Sequence, residues 1–162
     1  MISYQLVFRE TVNPADIEHV RKIVTSTGFF YDFEIPVAVE IVEERVAEGE
    51  ESGYFFLFVE MEGKTVSYSC YGPIAGTDAG FDLYWIVTHN DYRGLGIGKK
   101  LLDETHRKVR NLGGRYIIAE TSSIDKYKPT REFYEKNNYD KDAVIRDFYT
   151  TGDDKVIYVK RL

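Results

Sequence analysis

The sequence predicts an α/β fold in three layers, α/β/α, built on a mixed and mostly antiparallel sheet. Segments with the strand period and segments with the helix period follow the order β-α-α-β-β-β-α-β-α-β-β. Short turns join consecutive strands in the middle of the chain, which makes those strands antiparallel. A helix lies between the strands at 81–87 and 116–120, which makes that central pair parallel.

The N-terminal half contains one strand, two helices and a hairpin. Residues 2–9 alternate in polarity as a strand does, and Asn13 followed by Pro14 is typical of an N-cap and a first helical residue. Apolar residues on one face continue this helix until Gly28. The other predicted elements are an aromatic loop from Phe29 to Phe33, a helix from Pro36 to about Glu48, and strands 54–61 and 65–71 joined by a turn at Gly63.

The C-terminal half supplies the central strands and a last hairpin. Phe81 to Val87 is a third central strand, and an apolar helical stripe runs from Ile97 to the stop at Gly113-Gly114. The remaining predicted elements are a buried strand from Tyr116 to Glu120, a helix at 129–137 with Pro129 in its first turn, and strands 143–149 and 155–161.

Length and composition indicate one globular domain over residues 1–162. The chain is 43% hydrophobic and 15% aromatic, which excludes global disorder. Its formal net charge of -6 disfavours nucleic-acid partners, which require neutralisation of phosphates by Lys and Arg. The single cysteine, Cys70, excludes an internal disulfide and a thiolate zinc site, and three scattered histidines predict no metal. With no signal-peptide pattern and no membrane-length apolar run, we expect a cytoplasmic protein without a membrane partner.

The stretch from Arg93 to Lys100, Arg-Gly-Leu-Gly-Ile-Gly-Lys-Lys, predicts a phosphate site. It stands between a strand and a long helix, where glycines let a ligand approach the backbone and free N–H groups bind anions. The dinucleotide pattern fails, because Lys99 or Leu101 stands where the third glycine belongs. The Walker pattern also fails, because it needs Ser or Thr at Lys100. The pattern that remains has Arg93, Gly96 and Gly98.

These residues resemble the GNAT superfamily of acyl-CoA-dependent N-acyltransferases. The stretch from Leu83 to Gly98 is similar to its central acyl-CoA motif, and the stretch from Thr130 to Tyr139 is similar to its second motif. The resemblance implies a splayed parallel pair of central strands. It also implies an N-acetyltransferase that moves an acetyl group from acetyl-CoA to a primary amine, by direct attack in a ternary complex and without a metal.

The resemblance also implies roles for individual residues. Tyr134 matches the tyrosine placed near the thioester sulfur, and Asp82 lies where some members carry a glutamate general base. Backbone groups of residues 86–88 would bind the pantetheine arm, and backbone N–H groups from Arg93 to Lys99 would hold the pyrophosphate. Thr130, in the second motif, is also expected to bind the cofactor. These binding residues are Ile86, Val87, Thr88, Arg93, Gly94, Leu95, Gly96, Ile97, Gly98, Lys99 and Thr130.

The sequence leaves several interpretations of function and assembly open. Tyr127 replaces an asparagine usual in the family, and Asn138 replaces a glycine. A non-catalytic acyl-CoA sensor would need the glycine loop but no productive Tyr134. The aromatic loop 29–33 fits core packing as well as the rim of an acceptor pocket. Oligomeric state is left as monomer or homodimer.

The last hairpin adds a possible determinant of the acceptor. Asp147 precedes its loop, and Asp153 and Asp154 lie within it. These carboxylates, with the negative net charge, suggest a cationic or polyamine-like acceptor. The competing interpretation is an ordinary solvated turn.

Overall fold

The structure is a computed structural model that describes residues 3–162. Its helices and strands follow the predicted order. They are β1 (Leu6–Arg9), α1 (Asp16–Ser26), α2 (Glu34–Glu48), β2 (Phe55–Met61), β3 (Lys64–Pro73), β4 (Gly80–Thr88), α3 (Ile97–Asn111), β5 (Tyr116–Ser122), α4 (Lys128–Lys136), β6 (Asp140–Thr150) and β7 (Asp153–Arg161). Short 3₁₀ helices at 49–52, 90–92 and 125–127 were not predicted.

The start of the first helix departs from the prediction. Asn13 does not cap it, because α1 begins at Asp16, and the Asp16 carboxylate accepts the Asn13 N–H at 2.7 Å. Both Asp16 carboxylate oxygens also bind the Arg9 guanidinium at 2.8 Å. Asp16 is fully buried, so this ion pair with strand β1 fixes where the helix can begin. The predicted first residue of strand 2–9 lies outside the described residues.

The strand order of the sheet is β1-β2-β3-β4-β5-β7-β6. Strands β1 and β2, β2 and β3, β5 and β7, and β6 and β7 pair antiparallel, whereas β4 and β5 pair parallel. The parallel register joins only Gly80–Asp82 to Tyr116–Ile118, although β4 continues to Thr88 and β5 to Ser122. The predicted fold class, with its parallel central pair, is therefore confirmed.

The described chain divides into two compact units. The first contains the described residues up to Gly72 together with Tyr84–Thr105. On one face of its strands, side chains of α1 and α2 pack against Phe56, Phe58 and Tyr68. On the opposite face, the Ser69 hydroxyl binds the Thr105 hydroxyl of α3 at 2.8 Å. Helices thus cover both faces of these strands.

The second unit contains Pro73–Leu83 and His106–Leu162. Its core is aromatic: the Tyr134 ring of α4 lies 5.8 Å from the Tyr158 ring of β7 and 5.2 Å from the Tyr139 ring. The Tyr139 hydroxyl binds His106 Nε2 of α3 at 2.7 Å inside this core. A single domain over residues 1–162 stays a prediction, because this division concerns compactness alone.

Candidate active site

The glycine loop between β4 and α3 presents a row of free backbone donors. Gly94 and Gly96 have φ of +77° and +76°, a conformation that favours glycine, and open space surrounds the position of a Cβ at each. Among the backbone–backbone hydrogen bonds of residues 3–162 that lie outside regular helices and strands, none has its donor in 94–99. Because these groups precede and open the 15-residue helix α3, the loop has the donors and the dipole that bind a phosphate.

The side-chain charges around the loop are only partly free. Lys99 Nζ binds Asp103 Oδ2 at 2.7 Å, one turn further along α3. Arg93 and Lys100 are exposed and form no ion pair with any described residue. Arg93 and Lys100 can therefore meet an anionic ligand without giving up an ion pair, whereas Lys99 would share or exchange its contact with Asp103.

Strand β4 approaches the loop with its backbone held on one edge. The Ser67 hydroxyl of β3 donates to the Val87 carbonyl at 2.8 Å and binds the Thr88 hydroxyl at 2.9 Å. The Val87 carbonyl therefore points toward β3. Because backbone groups alternate along a strand, those of Ile86 and Thr88 point toward the other edge.

His89 follows β4 and shapes the turn before the glycine loop. Its Nδ1 accepts the Asp91 N–H at 3.1 Å, and its own N–H donates to the Val66 carbonyl at 2.8 Å. The imidazole lines a surface cavity of about 450 Å³ that also contacts Lys22 and Lys64 and does not include the glycine loop. His89 thus caps a turn, which is a structural role.

Tyr134 is buried with an unused hydroxyl. The residue is 6% exposed, and no hydrogen bond joins its hydroxyl to the described residues. Burial raises the pKa of this phenol well above its ordinary value, so the group stays protonated. A buried phenol of this kind is a hydrogen-bond donor without an acceptor in the described protein.

The first turn of α4 is tied to the end of β5. Arg131 Nη1 donates to the carbonyl oxygens of Ser122 and Ile124 at 2.8 and 2.9 Å. Tyr134 lies one turn after Arg131, so these bonds help to fix its position. Thr130 is half-buried beside Arg131, and Tyr127 precedes the helix as its N-cap residue.

Asp82 belongs to a charged cluster that the sequence analysis missed in part. Asp82 of β4 is paired with Ile118 of β5. Glu120 of β5 and Lys155 of β7 lie on the same face of the sheet as this pair. Lys155 Nζ binds Glu120 Oε2 at 2.7 Å and lies 3.8 Å from the centre of the Phe148 ring. Burial raises the pKa of the Asp82 carboxyl, Glu120 raises it further, and Lys155 lowers it. These shifts make Asp82 a candidate for proton transfer.

Comparison with known proteins identifies the family. The family model of the acetyltransferase (GNAT) domain matches residues 52–141. The chain belongs to the GNAT family of acetyltransferases. A GNAT-family structure from Desulfovibrio desulfuricans, assigned as an acetyltransferase, is 43% identical and has a TM-score of 0.95 over 97% of this chain and 99% of that one. A search of curated protein sequences gives no match.

More distant acetyltransferase structures support the fold alone. The S18-alanine N-acetyltransferase from Escherichia coli is 16% identical, with a TM-score of 0.75 over 97% of this chain and 94% of that one. An aminoglycoside 6'-N-acetyltransferase in complex with coenzyme A is 19% identical, with a TM-score of 0.75 over 96% of each chain. In the described part of this GNAT chain, no helix is long and apolar enough to cross a membrane, and no group of three or more potential ligands forms a metal site.

Other candidate residues of this GNAT chain have structural roles. The Asp153 carboxylate accepts the Ser122 hydroxyl, and the Asp154 carboxylate accepts the Asp147 N–H at 2.9 Å. Both acids therefore hold the last hairpin in shape, which favours the structural interpretation of that loop. Cys70 is fully buried, and burial raises the pKa of its thiol, so it is a poor nucleophile.

The aromatic loop divides between the core and the surface. Phe30 packs against Trp85, with ring centres 5.1 Å apart. Tyr31 and Phe33 stack on each other at 5.5 Å and are 47% and 72% exposed. Core packing therefore accounts for Phe30, whereas Tyr31 and Phe33 lie at the surface.

Proposed function

We propose that this GNAT protein transfers an acetyl group from acetyl-CoA to a primary amine by direct attack in a ternary complex. The observation that carries the proposal is the row of free N–H groups at 94–99, on a left-handed glycine turn at the start of α3. These N–H groups can donate hydrogen bonds to the pyrophosphate of acetyl-CoA. The open space at Gly94 and Gly96 allows the pyrophosphate to approach the backbone closely. Arg93 and Lys100 add positive charge. Backbone groups of Ile86 and Thr88 would bind the pantetheine arm.

Bound acetyl-CoA supplies a thioester, whose carbonyl carbon is attacked by a neutral amine. The role proposed for Tyr134 is to donate a hydrogen bond to the sulfur as negative charge develops there. A thiol has a pKa of about 8.5, against about 10 for an ordinary tyrosine, and burial raises that of Tyr134 further. Complete proton transfer to the thiolate is therefore unfavourable, and Tyr134 acts as a donor rather than as a full acid.

The role proposed for Asp82 is to remove a proton from the attacking amine, directly or through water. The pKa of a lysine amine is about 10.4 and that of an N-terminus about 8, against about 3.9 for an ordinary aspartate. Burial and the charge of Glu120 raise the pKa of Asp82 and so narrow this gap. The positive charge of Lys155 lowers the pKa of Asp82 and so opposes this rise.

The first test is thiol release from acetyl-CoA with pooled primary amines, amino acids, peptides and polyamines. Acetyl transfer requires amine-dependent thiol release and an acetylated product detectable by mass spectrometry. If the protein binds CoA but no amine accelerates thiol release, a non-catalytic acyl-CoA sensor becomes the better assignment.

The second test shifts the pH profile through the neighbours of Asp82. Glu120→Gln removes a negative charge, so the pKa of Asp82 falls and the acidic limb of kcat/KM moves to lower pH. Lys155→Met removes a positive charge, so the same limb moves to higher pH. If the acidic limb moves in the same direction in both variants, or moves in neither, Asp82 is not the group whose titration controls kcat/KM.

A further inference from the structure

A surface cavity of about 450 Å³ lies beside α1 in the first compact unit. Three segments line it: helix α1, the turn between β2 and β3, and the connection that leads from β4 to the glycine loop. None of the residues proposed to bind acetyl-CoA or to act in catalysis lines this cavity. Its lining includes two lysines, two histidines and two hydroxyl groups, and it has no role in the proposed reaction.

The two lysines of this cavity carry positive charges without a partner. Lys22 belongs to α1, and Lys64 is the first residue of β3. Both residues are exposed, and neither forms an ion pair with another residue of 3–162. The chain as a whole has a formal net charge of -6. Two unpaired cations that line one concave surface therefore create a local positive potential on an otherwise acidic protein.

The two acidic residues of the cavity do not compensate these lysines. The carboxylate of Glu60 binds the Arg9 guanidinium, with 2.7 Å between Oε1 and Nε. The side chain of Asp91 is 79% exposed, so water screens most of its charge. Because the negative charge of Glu60 is already paired and that of Asp91 is solvated, the cavity keeps a preference for anions.

Neutral hydrogen-bond donors complete the lining. Nδ1 of His89 accepts the Asp91 N–H at 3.1 Å, so a neutral His89 ring carries its proton on Nε2 and donates from there. The Thr65 oxygen accepts a hydrogen bond from Arg9 Nη2 at 3.5 Å, which leaves its O–H free to donate. The hydroxyl of Tyr92 forms no hydrogen bond with the described residues, and the Tyr92 ring packs against the His89 ring at 5.7 Å.

The number and arrangement of these donors favour a phosphate group over a carboxylate. A carboxylate carries one negative charge on two oxygens in a single plane, whereas a phosphate group carries up to two charges on oxygens that point in several directions. The cavity supplies two ammonium groups together with imidazole and hydroxyl donors, and these come from three different segments of the chain. Charge-assisted hydrogen bonds from separate directions suit a tetrahedral dianion.

We propose that this cavity binds the phosphate group of a small molecule through Lys22 and Lys64, with His89, Thr65 and Tyr92 as neutral donors. The site is distinct from the proposed pyrophosphate site, because residues 93–99 do not line the cavity. The proposal is independent of acetyl transfer, since it uses none of the residues proposed for that reaction.

The three histidines of the chain provide the assay. His19 and His89 line the cavity, whereas His106 is buried in the second compact unit and is an internal reference. The test is a titration of the CoA-saturated full chain with inorganic phosphate at constant pH and ionic strength, followed by the imidazole NMR signals. CoA occupies the glycine loop and so removes it as a competing site for phosphate. We expect saturable shifts of the His19 and His89 signals and a constant His106 signal; the absence of saturable shifts overturns the proposal.

Paired lysine variants test the assignment of the ligands. Lys22→Ala combined with Lys64→Ala should raise the dissociation constant for phosphate by about tenfold or more, because both charge-assisted contacts are lost. Lys136→Ala combined with Lys141→Ala is the matched control, since it removes the same charge from exposed positions outside the cavity. Both double variants should bind CoA as the wild type does, which confirms that they are folded. Equal weakening of phosphate binding in the two double variants overturns the proposal. Phosphate shifts that appear only without CoA also overturn it, because they would assign the cavity to a phosphate of CoA itself.

Discussion

Replacing Tyr134 by phenylalanine separates its chemical role from its packing role. The Tyr134 hydroxyl forms no hydrogen bond with the described protein, so its removal breaks none and leaves the aromatic core filled. We therefore expect the melting temperature of Tyr134→Phe to stay close to that of the wild type. If the hydroxyl donates a hydrogen bond to the departing sulfur, however, the variant lacks an interaction that stabilises the transition state more than the bound substrate.

The magnitude of the loss follows from the strength of the donor. Removing one preorganised donor from a developing negative charge typically lowers kcat by about 10²–10³. Burial raises the pKa of Tyr134 and makes it a weaker acid, so we expect about 10². Affinity for acetyl-CoA should change little, because the contact strengthens only as the thiolate forms.

Tyr139→Phe is the matched control in the same aromatic cluster. Its hydroxyl binds His106 Nε2 at 2.7 Å, and the loss would leave a buried histidine nitrogen without this partner. We expect a cost of about 1–3 kcal/mol in unfolding free energy and nearly unchanged turnover. That cost corresponds to a melting temperature lower by several degrees.

The assay is single-turnover acetyl transfer with a saturating amine, which separates chemistry from product release, alongside a thermal melt of each variant. The expected pattern is slow chemistry in a stable Tyr134→Phe and normal chemistry in a less stable Tyr139→Phe. A Tyr134→Phe rate within threefold of wild type would show that the Tyr134 hydroxyl does not act on the sulfur.

Three further predictions concern the loop, the base and the hairpin. Gly96→Val should abolish CoA binding in calorimetry, whereas Gly63→Val, with nearly the same φ of +77° and equally open surroundings, should cost similar stability and leave CoA affinity intact. Asp82→Asn should lower kcat/KM mainly at low pH and approach wild type at high pH, where the amine deprotonates in solution; wild-type rates below pH 7 would refute the role. Asp153→Asn and Asp154→Asn should each destabilise the fold by about 1 kcal/mol, and a salt-dependent rise in the KM of a cationic amine would instead show that these acids bind it.

Local pattern was enough to predict the element order and the glycine loop. Periodicity and glycine stops depend on neighbours in sequence, and Gly94 and Gly96 do adopt the left-handed conformation that a phosphate loop uses. The start of α1 was mispredicted: the helix begins at Asp16, whose carboxylate is held by Arg9 of β1. The two residues are seven positions apart, a spacing that the capping patterns of a helix start do not include.

The same limit applies to the neighbours of Asp82. Glu120 and Lys155 are 35 residues apart in sequence, and they meet only because the β5–β7 register pairs Ser122 with Lys155. From the sequence alone, Lys155 is interpreted as a solvated charge of the last hairpin. Its contacts with Phe148 and Glu120 become apparent only when the β5–β7 register is known.

This cluster also changes where the charge that attracts an acceptor should be sought. Asp153 accepts the Ser122 hydroxyl and Asp154 accepts the Asp147 N–H, so these two hairpin acids have structural partners. Asp82 and Glu120 carry two negative charges against the single positive charge of Lys155, which leaves this cluster of three residues with a net negative charge when both acids are ionised. Because amines reach the enzyme protonated, such a cluster would draw the ammonium form toward the residue proposed to deprotonate it. The pH and salt dependence of the amine KM should therefore follow Glu120 and not Asp153. An amine KM that responds to salt equally in wild type and in Glu120→Gln would refute this argument.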